Sequence, residues 1–303
     1  MAGNWALSRR RSALERRGAI FDSIRAFFRG KGYLEVETPF RIPAPAPEAN
    51  IDAIPASGWF LHTSPELCMK RLLAAGYQRI FQICRCWRDG ERGVRHLSEF
   101  TMLEWYRAGT DYLGLMEETE ELLRAAAGSD CILYRDCRID LSLPAERLTV
   151  AEAFARWTAT TPEAALAAGS FDDLMVEQIE PNLGIHRPSF LYDYPAPCGA
   201  LARLKPENPA VAERFELYLG GLEIANAFSE LSDPVEQRAR FLQEAAERAQ
   251  NGKLPYPTAD KFLDALKDLP DSAGIALGLD RLVMVLLDAE SIDEVVAFTT
   301  EEL

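Results

Sequence analysis

The chain has 303 residues, nearly half of them hydrophobic, with 33 basic against 47 acidic side chains and a formal net charge of −14. That size allows a substantial core, and the acidic balance argues against an extensive grip on a nucleic-acid backbone, which needs a basic face. No apolar run reaches membrane-spanning length, charge rather than a signal-peptide pattern dominates the first twenty residues, and the six cysteines form no CxxC pair and no metal-ligand spacing; the sequence therefore reads as a reduced, cytoplasmic, soluble protein without a zinc site.

Leu14, Ile20, Phe21, Ile24, Phe27 and Phe28 share one face at helical spacing, and Gly30 and Gly32 end that helix. The arginines before and within it (Arg9, Arg10, Arg11, Arg16 and Arg17) read as a solvated helix start. Tyr33–Pro39 alternates as a strand stopped by proline, 41–50 is a proline-rich loop, and Trp59–Thr63 is a short strand. Ser64-Pro65-Glu66 opens a helix, with serine as cap and proline in the first turn, and Gly76 closes it. Ile80–Arg88 and Glu99–Ala108 form the arms of a long antiparallel hairpin, in which Cys84 and Cys86 point the same way as core residues. Leu113–Ala127 is a helix. Residues 140–210 carry the weakest pattern and read as two or three short helices. Arg214–Leu219 and Leu222–Ser229 are strands split by Gly220-Gly221; Pro234–Asn251 and Lys261–Lys267 are helices; Gly274–Arg281 is a glycine-punctuated strand leading into the apolar helix Leu282–Leu287. No repeat and no linker interrupts residues 1–303, so a single domain is the simplest count.

Strand residues two apart share a face. Phe100, Met102, Glu104 and Tyr106 therefore face one way, as do Asn226, Phe228 and Glu230. Burying unpaired carboxylates is costly, so such a face suits the floor of a polar pocket, and two carboxylates with a phenol suit a ligand carrying two amines. Arg85, Arg88, Arg92, Arg95 and His96 crowd the hairpin tip, where guanidinium groups can take a triphosphate. Glu216 and Glu223 flank Gly220-Gly221, and carboxylates beside bound phosphates point to Mg²⁺. Gly274–Arg281 is neither GxGxxG nor a P-loop; its glycines permit close backbone approach to a ligand.

In order along the chain, these segments resemble the three signature motifs of class II aminoacyl-tRNA synthetases. Tyr33–Pro39 resembles motif 1; Phe81–Tyr106, ending in Glu99-Phe100-Thr101-Met102-Leu103-Glu104-Trp105-Tyr106, resembles motif 2; Gly274–Arg281 resembles motif 3. Thr63-Ser64-Pro65-Glu66 and Asn226-Ala227-Phe228-Ser229-Glu230-Leu231 resemble the lysine subgroup. The resemblance implies an α+β fold: a mixed, mainly antiparallel sheet flanked by helices. Lysyl-tRNA synthetases place an anticodon-binding OB domain ahead of this part, whereas here the first catalytic helix begins within twenty residues. The chain thus looks most like the truncated paralogues of that subgroup, the elongation factor P lysine ligases, a likeness that Ala276 and Trp105 share.

The resemblance implies ATP and Mg²⁺ as cofactors, lysine or (R)-β-lysine as substrate, elongation factor P as acceptor protein, a homodimer, and neither anticodon recognition nor a membrane. It assigns Arg88 to the α-phosphate and substrate carboxylate, His96 to the outer phosphates, Phe100 and Arg281 to the two faces of adenine, and Glu216 and Glu223 to Mg²⁺. Glu66 and Glu104 would bind the backbone-side amine, Tyr106 and Glu230 the distal amine, and Asn226 the carboxylate, while Phe228 and Ala276 line the slot. One departure stands out: the family often has Arg-Asn-Glu where this chain has Arg88-Asp89-Gly90-Glu91, so Glu91 or backbone atoms take the adenine contact. The implied reaction has two steps, adenylate formation and then transfer to a lysine ε-amine, and the sequence offers no evident general base for the second. Other readings are a truncated synthetase charging tRNA, a non-catalytic regulator and a small-molecule amide synthetase. Against them stand the acidic charge and absent anticodon domain, the retained Arg88 and Arg281, and the dibasic fit of Glu104, Tyr106 and Glu230, respectively.

Overall fold

The computed structural model describes residues 5–199 and 201–303. Its strands are β1 (Leu34–Glu35), β2 (Arg41–Ile42), β3 (Pro55–Ala56), β4 (Trp59–Leu61), β5 (Arg79–Trp87), β6 (Glu99–Ala108), β7 (Cys131–Tyr134), β8 (Cys137–Asp140), β9 (Glu146–Thr149), β10 (Ser189–Pro195), β11 (Leu204–Lys205), β12 (Asn208–Leu219), β13 (Leu222–Ser229) and β14 (Ser272–Gly278). The main sheet has nine strands in the order β1-β5-β6-β14-β13-β12-β10-β9, with β11 beside β12. Among the described residues only β1/β5 and β9/β10 pair in parallel. This is the mixed, mainly antiparallel α+β architecture expected from the sequence.

The two faces of the sheet differ because the residues alternate. In β6, Leu103 and Trp105 are fully buried and join Phe28, Phe81, Leu115 and Leu282 in the main apolar core. That core lies under α2 (Arg11–Gly30), which follows the short α1 (Trp5–Arg9), and under α4 and α10. Helix α3 is Glu66–Ala74; α4 is Tyr112–Ala127, capped by Asp111, whose carboxylate accepts from Gly114 N–H at 2.9 Å. Helices α5 (Val150–Trp157), α6 (Pro162–Ala168) and α7 (Phe171–Leu174) cover the β9/β10 end, while α8 (Pro234–Gln250) and α9 (Asp260–Ala265) pack with α3 beside the opposite face. Helix α10 is Leu279–Leu286.

Four expectations are corrected. Of Tyr33–Pro39 only Leu34–Glu35 joins the ladder, parallel to β5; the Thr38 N–H turns instead to the Gln82 side chain at 3.1 Å, ahead of a proline with no donor. Region 140–210 contains the short helices but also β9, β10, β11 and the start of β12, with β10 largely buried on both faces so that no period-two signal shows. The motif 3 strand ends at Gly278, and Leu279-Asp280-Arg281 is already helical. The arginine-rich start is not simply solvated. Arg17 lies 2.6 Å from the buried Asp280 and donates to Thr101 Oγ1 at 2.9 Å, and Arg10 pairs with Glu302 at 2.6 Å. Asp280 in turn accepts from Thr101 N–H at 2.7 Å, so Arg17 pins the start of α10 to β6.

Candidate functional site

On the face opposite the main core, β6, β14 and β13 floor a cavity of about 210 Å³, walled by the start of α3, the β5–β6 hairpin tip and the loop before β3. The cross-strand register sets Glu104, Ala276 and Asn226 side by side on neighbouring strands. Arg88, His96, Phe100, Glu66, Glu104, Tyr106, Asn226, Phe228, Ala276, Glu223 and Arg281 all line it. Glu216 and Glu230 do not line it; Glu216 pairs across the ladder with Asn226, and Glu230 lies against Gly274.

One end of the cavity is acidic. Glu104 is 1 % exposed; it accepts from Ser64 Oγ at 2.5 Å and from Tyr106 Oη at 2.8 Å. Burial, then the charge of Glu66, holds its carboxyl well above the usual range. Behind it, Glu230 is buried, with Lys70 Nζ 2.5 Å from Oε2, while its Oε1 has no hydrogen-bond partner among the described residues. Gly274 makes room for that carboxylate: a Cβ there would sit 2.5 Å from Glu230 Oε1 and 2.2 Å from the Tyr106 ring. Lys70 also lies 2.5 Å from Glu66 and 4.9 Å from the Phe228 ring centre. Burial alone would discharge it, but Glu230 and Glu66 outweigh that and hold it protonated.

The other end is basic. Arg88 lies over the Phe100 ring at 5.1 Å, its buried Nε has no partner, and its ion pair with Glu91 is long at 3.8 Å. Arg281 is fixed from three sides: it donates to the backbone and carboxylate oxygens of Glu223 at 3.0 and 3.1 Å, to Arg95 O at 3.3 Å, and to His96 Nε2. Burial and then that guanidinium lower the His96 pKa, so the ring is neutral near pH 7. Arg95 lines the cavity, whereas Arg85 and Arg92 turn away to Glu99 and to Asp293 with Glu301. Gly90 has φ +75°, which disfavours any side chain there, and Glu91 lines the cavity instead.

Beside this end, Glu216 accepts from Tyr194 and Tyr218 hydroxyls at 2.6 Å each and from Arg214 at 2.5 Å. Burial raises its pKa, Arg214 lowers it and Glu223 raises it again; Glu180 is raised by burial and by both of these glutamates. Carboxylate oxygens are the donor type that Mg²⁺ takes, and here both Glu216 oxygens and Glu223 Oε2 are engaged, so an ion would replace contacts to Arg214 and Arg281.

Sequence reasoning missed Lys70, Arg214, Glu180 and Asp280, whose roles depend on neighbours distant in the chain. It also placed no metal-ligand pattern in the cysteines, yet the fold brings donor atoms of His62, Cys84 and Cys86 within 4.8 Å of one another on the pocket side. There His62 Nε2 is engaged with Arg85 O at 2.7 Å.

Residues 5–302 match the family model described as tRNA synthetases class II (D, K and N). Curated proteins named elongation factor P–(R)-β-lysine ligase are similar over nearly the whole chain. The one from Erwinia tasmaniensis is 39 % identical, covering 98 % of each chain; one from an Enterobacter species is 40 % identical, covering 95 % of each; one from Pectobacterium atrosepticum is 39 % identical, covering 98 % of each.

Proposed function

We propose, for a chain that belongs to the class II tRNA synthetases of the D, K and N group, that it is an ATP-dependent ligase: it activates (R)-β-lysine as an aminoacyl-adenylate and transfers it to a lysine ε-amine of elongation factor P. The observation that carries the reading is a single cavity with an acidic end lined by Glu66 and Glu104, with Glu230 behind Gly274, and a basic end holding Arg88, His96 and Arg281. A dibasic amino acid suits the first and a triphosphate the second. The names of the relatives favour β-lysine as the substrate and elongation factor P as the acceptor.

Glu66 and Glu104 bind the substrate's backbone-side amine. Its arrival supplies the positive charge that lets the raised Glu104 carboxyl ionise. Tyr106 and Glu230 take the distal amine, Asn226 the carboxylate, and Phe228 and Ala276 close the slot. Arg88 draws the substrate carboxylate to the α-phosphate, His96 reaches the outer phosphates as a neutral donor, and Phe100 with Arg281 holds adenine, with Glu91 at its edge. Positioning and charge neutralisation carry the first step. Glu216 and Glu223 would hold Mg²⁺, which neutralises phosphate charge when bound.

A homodimer through the motif 1 region is part of the proposal, supported by the exposed apolar surface of Leu34, Phe40 and Trp59; its check is mass by light scattering. The ligase reading is tested by intact mass of elongation factor P after incubation with the protein, ATP, Mg²⁺ and β-lysine, α-lysine or neither. A gain of one lysyl unit, largest with β-lysine, is expected; tRNA charging with no gain on the factor would refute it. Glu230→Gln removes the charge facing the distal amine and should raise substrate KM ~10–100-fold, the scale of a lost charged hydrogen bond, with kcat nearly kept. An unchanged KM would remove Glu230 from that role.

A further inference from the structure

A second cavity, of about 380 Å³, adjoins the first; Glu48, Ile51 and Leu201 line both. Its walls include Ala196, Leu204 and Phe241, and its charged residues are Glu48, Glu236, Glu244 and Arg240, the last paired with Glu236. Gln237, 1 % exposed, lines it with neither amide atom hydrogen-bonded among the described residues. Apolar walls with an excess of carboxylates complement a side chain made of methylenes ending in an ammonium.

The segment carrying Glu48 is held in place rather than loose. Buried Arg248 of α8 donates to Glu48 O at 2.8 Å, to Ile51 O at 2.9 Å and to Asp52 Oδ1 at 2.9 Å, and the Ala49 N–H donates to Glu244 at 2.7 Å. The Glu48 carboxylate itself sits at the junction of the two cavities, among charges from four elements: Arg88 after β5, Glu66 of α3, Glu244 of α8 and Arg214 of β12. Burial, above all, pushes its pKa up to about 7; Arg88 and Arg214 pull it down, and Glu66 and Glu244 add to the rise.

We infer that the second cavity is the passage by which the acceptor's lysine side chain reaches the adenylate, and that Glu48, at its inner end, takes the proton from the incoming ammonium; this rests on the ligase reading above. Glu48 is then the base that the second step lacks. The ε-ammonium gives one proton to the Glu48 carboxylate. The neutral amine nitrogen forms its bond to the adenylate carbonyl carbon. The bond from that carbon to the phosphate oxygen breaks, and the second nitrogen proton leaves with AMP as its monoanion. Glu48 returns its proton to water. A carboxylate near 7 is about 300-fold better matched to an amine than one at the ordinary 4.5, yet remains substantially ionised at neutral pH.

The test separates the two half-reactions. With wild-type protein, transfer to elongation factor P should rise with pH through about 7 and then level off, since the base is ionised and the ammonium still abundant. In Glu48→Gln, transfer at pH 7 should fall ~10²–10⁴-fold, the range of general-base catalysis, far more than ATP–pyrophosphate exchange with β-lysine falls. Its transfer should also keep climbing about tenfold per pH unit towards 10, as the neutral amine becomes more common. Ala196→Trp, which narrows the passage away from Arg88, should raise acceptor KM several-fold with exchange unchanged. Identical pH profiles in wild type and Glu48→Gln, equal losses of exchange and transfer, or an unaltered acceptor KM in Ala196→Trp would overturn the inference and leave the ligase reading standing. A wild-type protein that neither exchanges nor modifies the factor overturns both.

Discussion

Arg88→Ala will reduce ATP–pyrophosphate exchange by at least about 10³-fold, the loss expected when a charged donor at a developing phosphoryl charge is removed. The side chain has little structural work: its one ion pair is the 3.8 Å contact with Glu91, and its buried Nε has no partner. Its ring contact, Phe100 at 5.1 Å, is itself part of the cavity. The fold should therefore survive, and the melting temperature should move little while exchange disappears. Retained exchange would detach Arg88 from the α-phosphate. A matching collapse of stability would mean that the guanidinium holds the hairpin rather than the nucleotide.

The second large effect is on stability. Lys70 is 1 % exposed and lies 2.5 Å from carboxylate oxygens of both Glu66 and Glu230, so Lys70→Met strands two carboxylates around an apolar side chain. Breaking a buried pair from one side costs about 3–5 kcal/mol. The pH dependence has a definite sign. Without Lys70, the buried Glu230 carboxyl is raised further above its unfolded value. A raised carboxyl contributes stability below the unfolded pKa and loses it as pH climbs through the folded one. Glu230 is already pushed up to about 8 in the wild type, so the extra loss accrues above that value: urea unfolding should show the variant losing more stability between pH 8 and pH 9.5 than the wild type does. A deficit under about 1 kcal/mol, equal at both pH values, would show that Lys70 is not the counter-ion of the acidic end. Met keeps the stem's volume, so the loss reports charge rather than a void.

Both experiments concern residues of different legibility. Arg88 stands out in the sequence because it ends an alternating strand ahead of a polar, glycine-bearing loop. Lys70 does not: on α3 it reads as one more helical lysine, and only the packing of α3 against β5 and β6 brings it to Glu230. The same holds for Arg17, which looks like a solvated helix residue until α10 delivers Asp280 to it, and for Glu48, which looks like one residue of a proline-rich loop until Arg248 fixes that loop between two cavities.

What the sequence determined by itself is whatever depends on local periodicity. The β5–β6 and β12–β13 hairpins, the long helices, and the sharing of one sheet face by Glu104, Tyr106, Asn226 and Phe228 follow from side chains alternating every second residue along a strand. Strand β10 escaped because burial on both faces erases alternation. Tertiary structure alone decided which charges meet. It turned Arg85 and Arg92 away from the cavity, set His62 beside Cys84 and Cys86, and placed Glu48 at the junction of two cavities. The physical reason is range: periodicity is written into a few neighbouring residues, whereas the field and the partner that give a buried charge its role come from elements far apart in the chain.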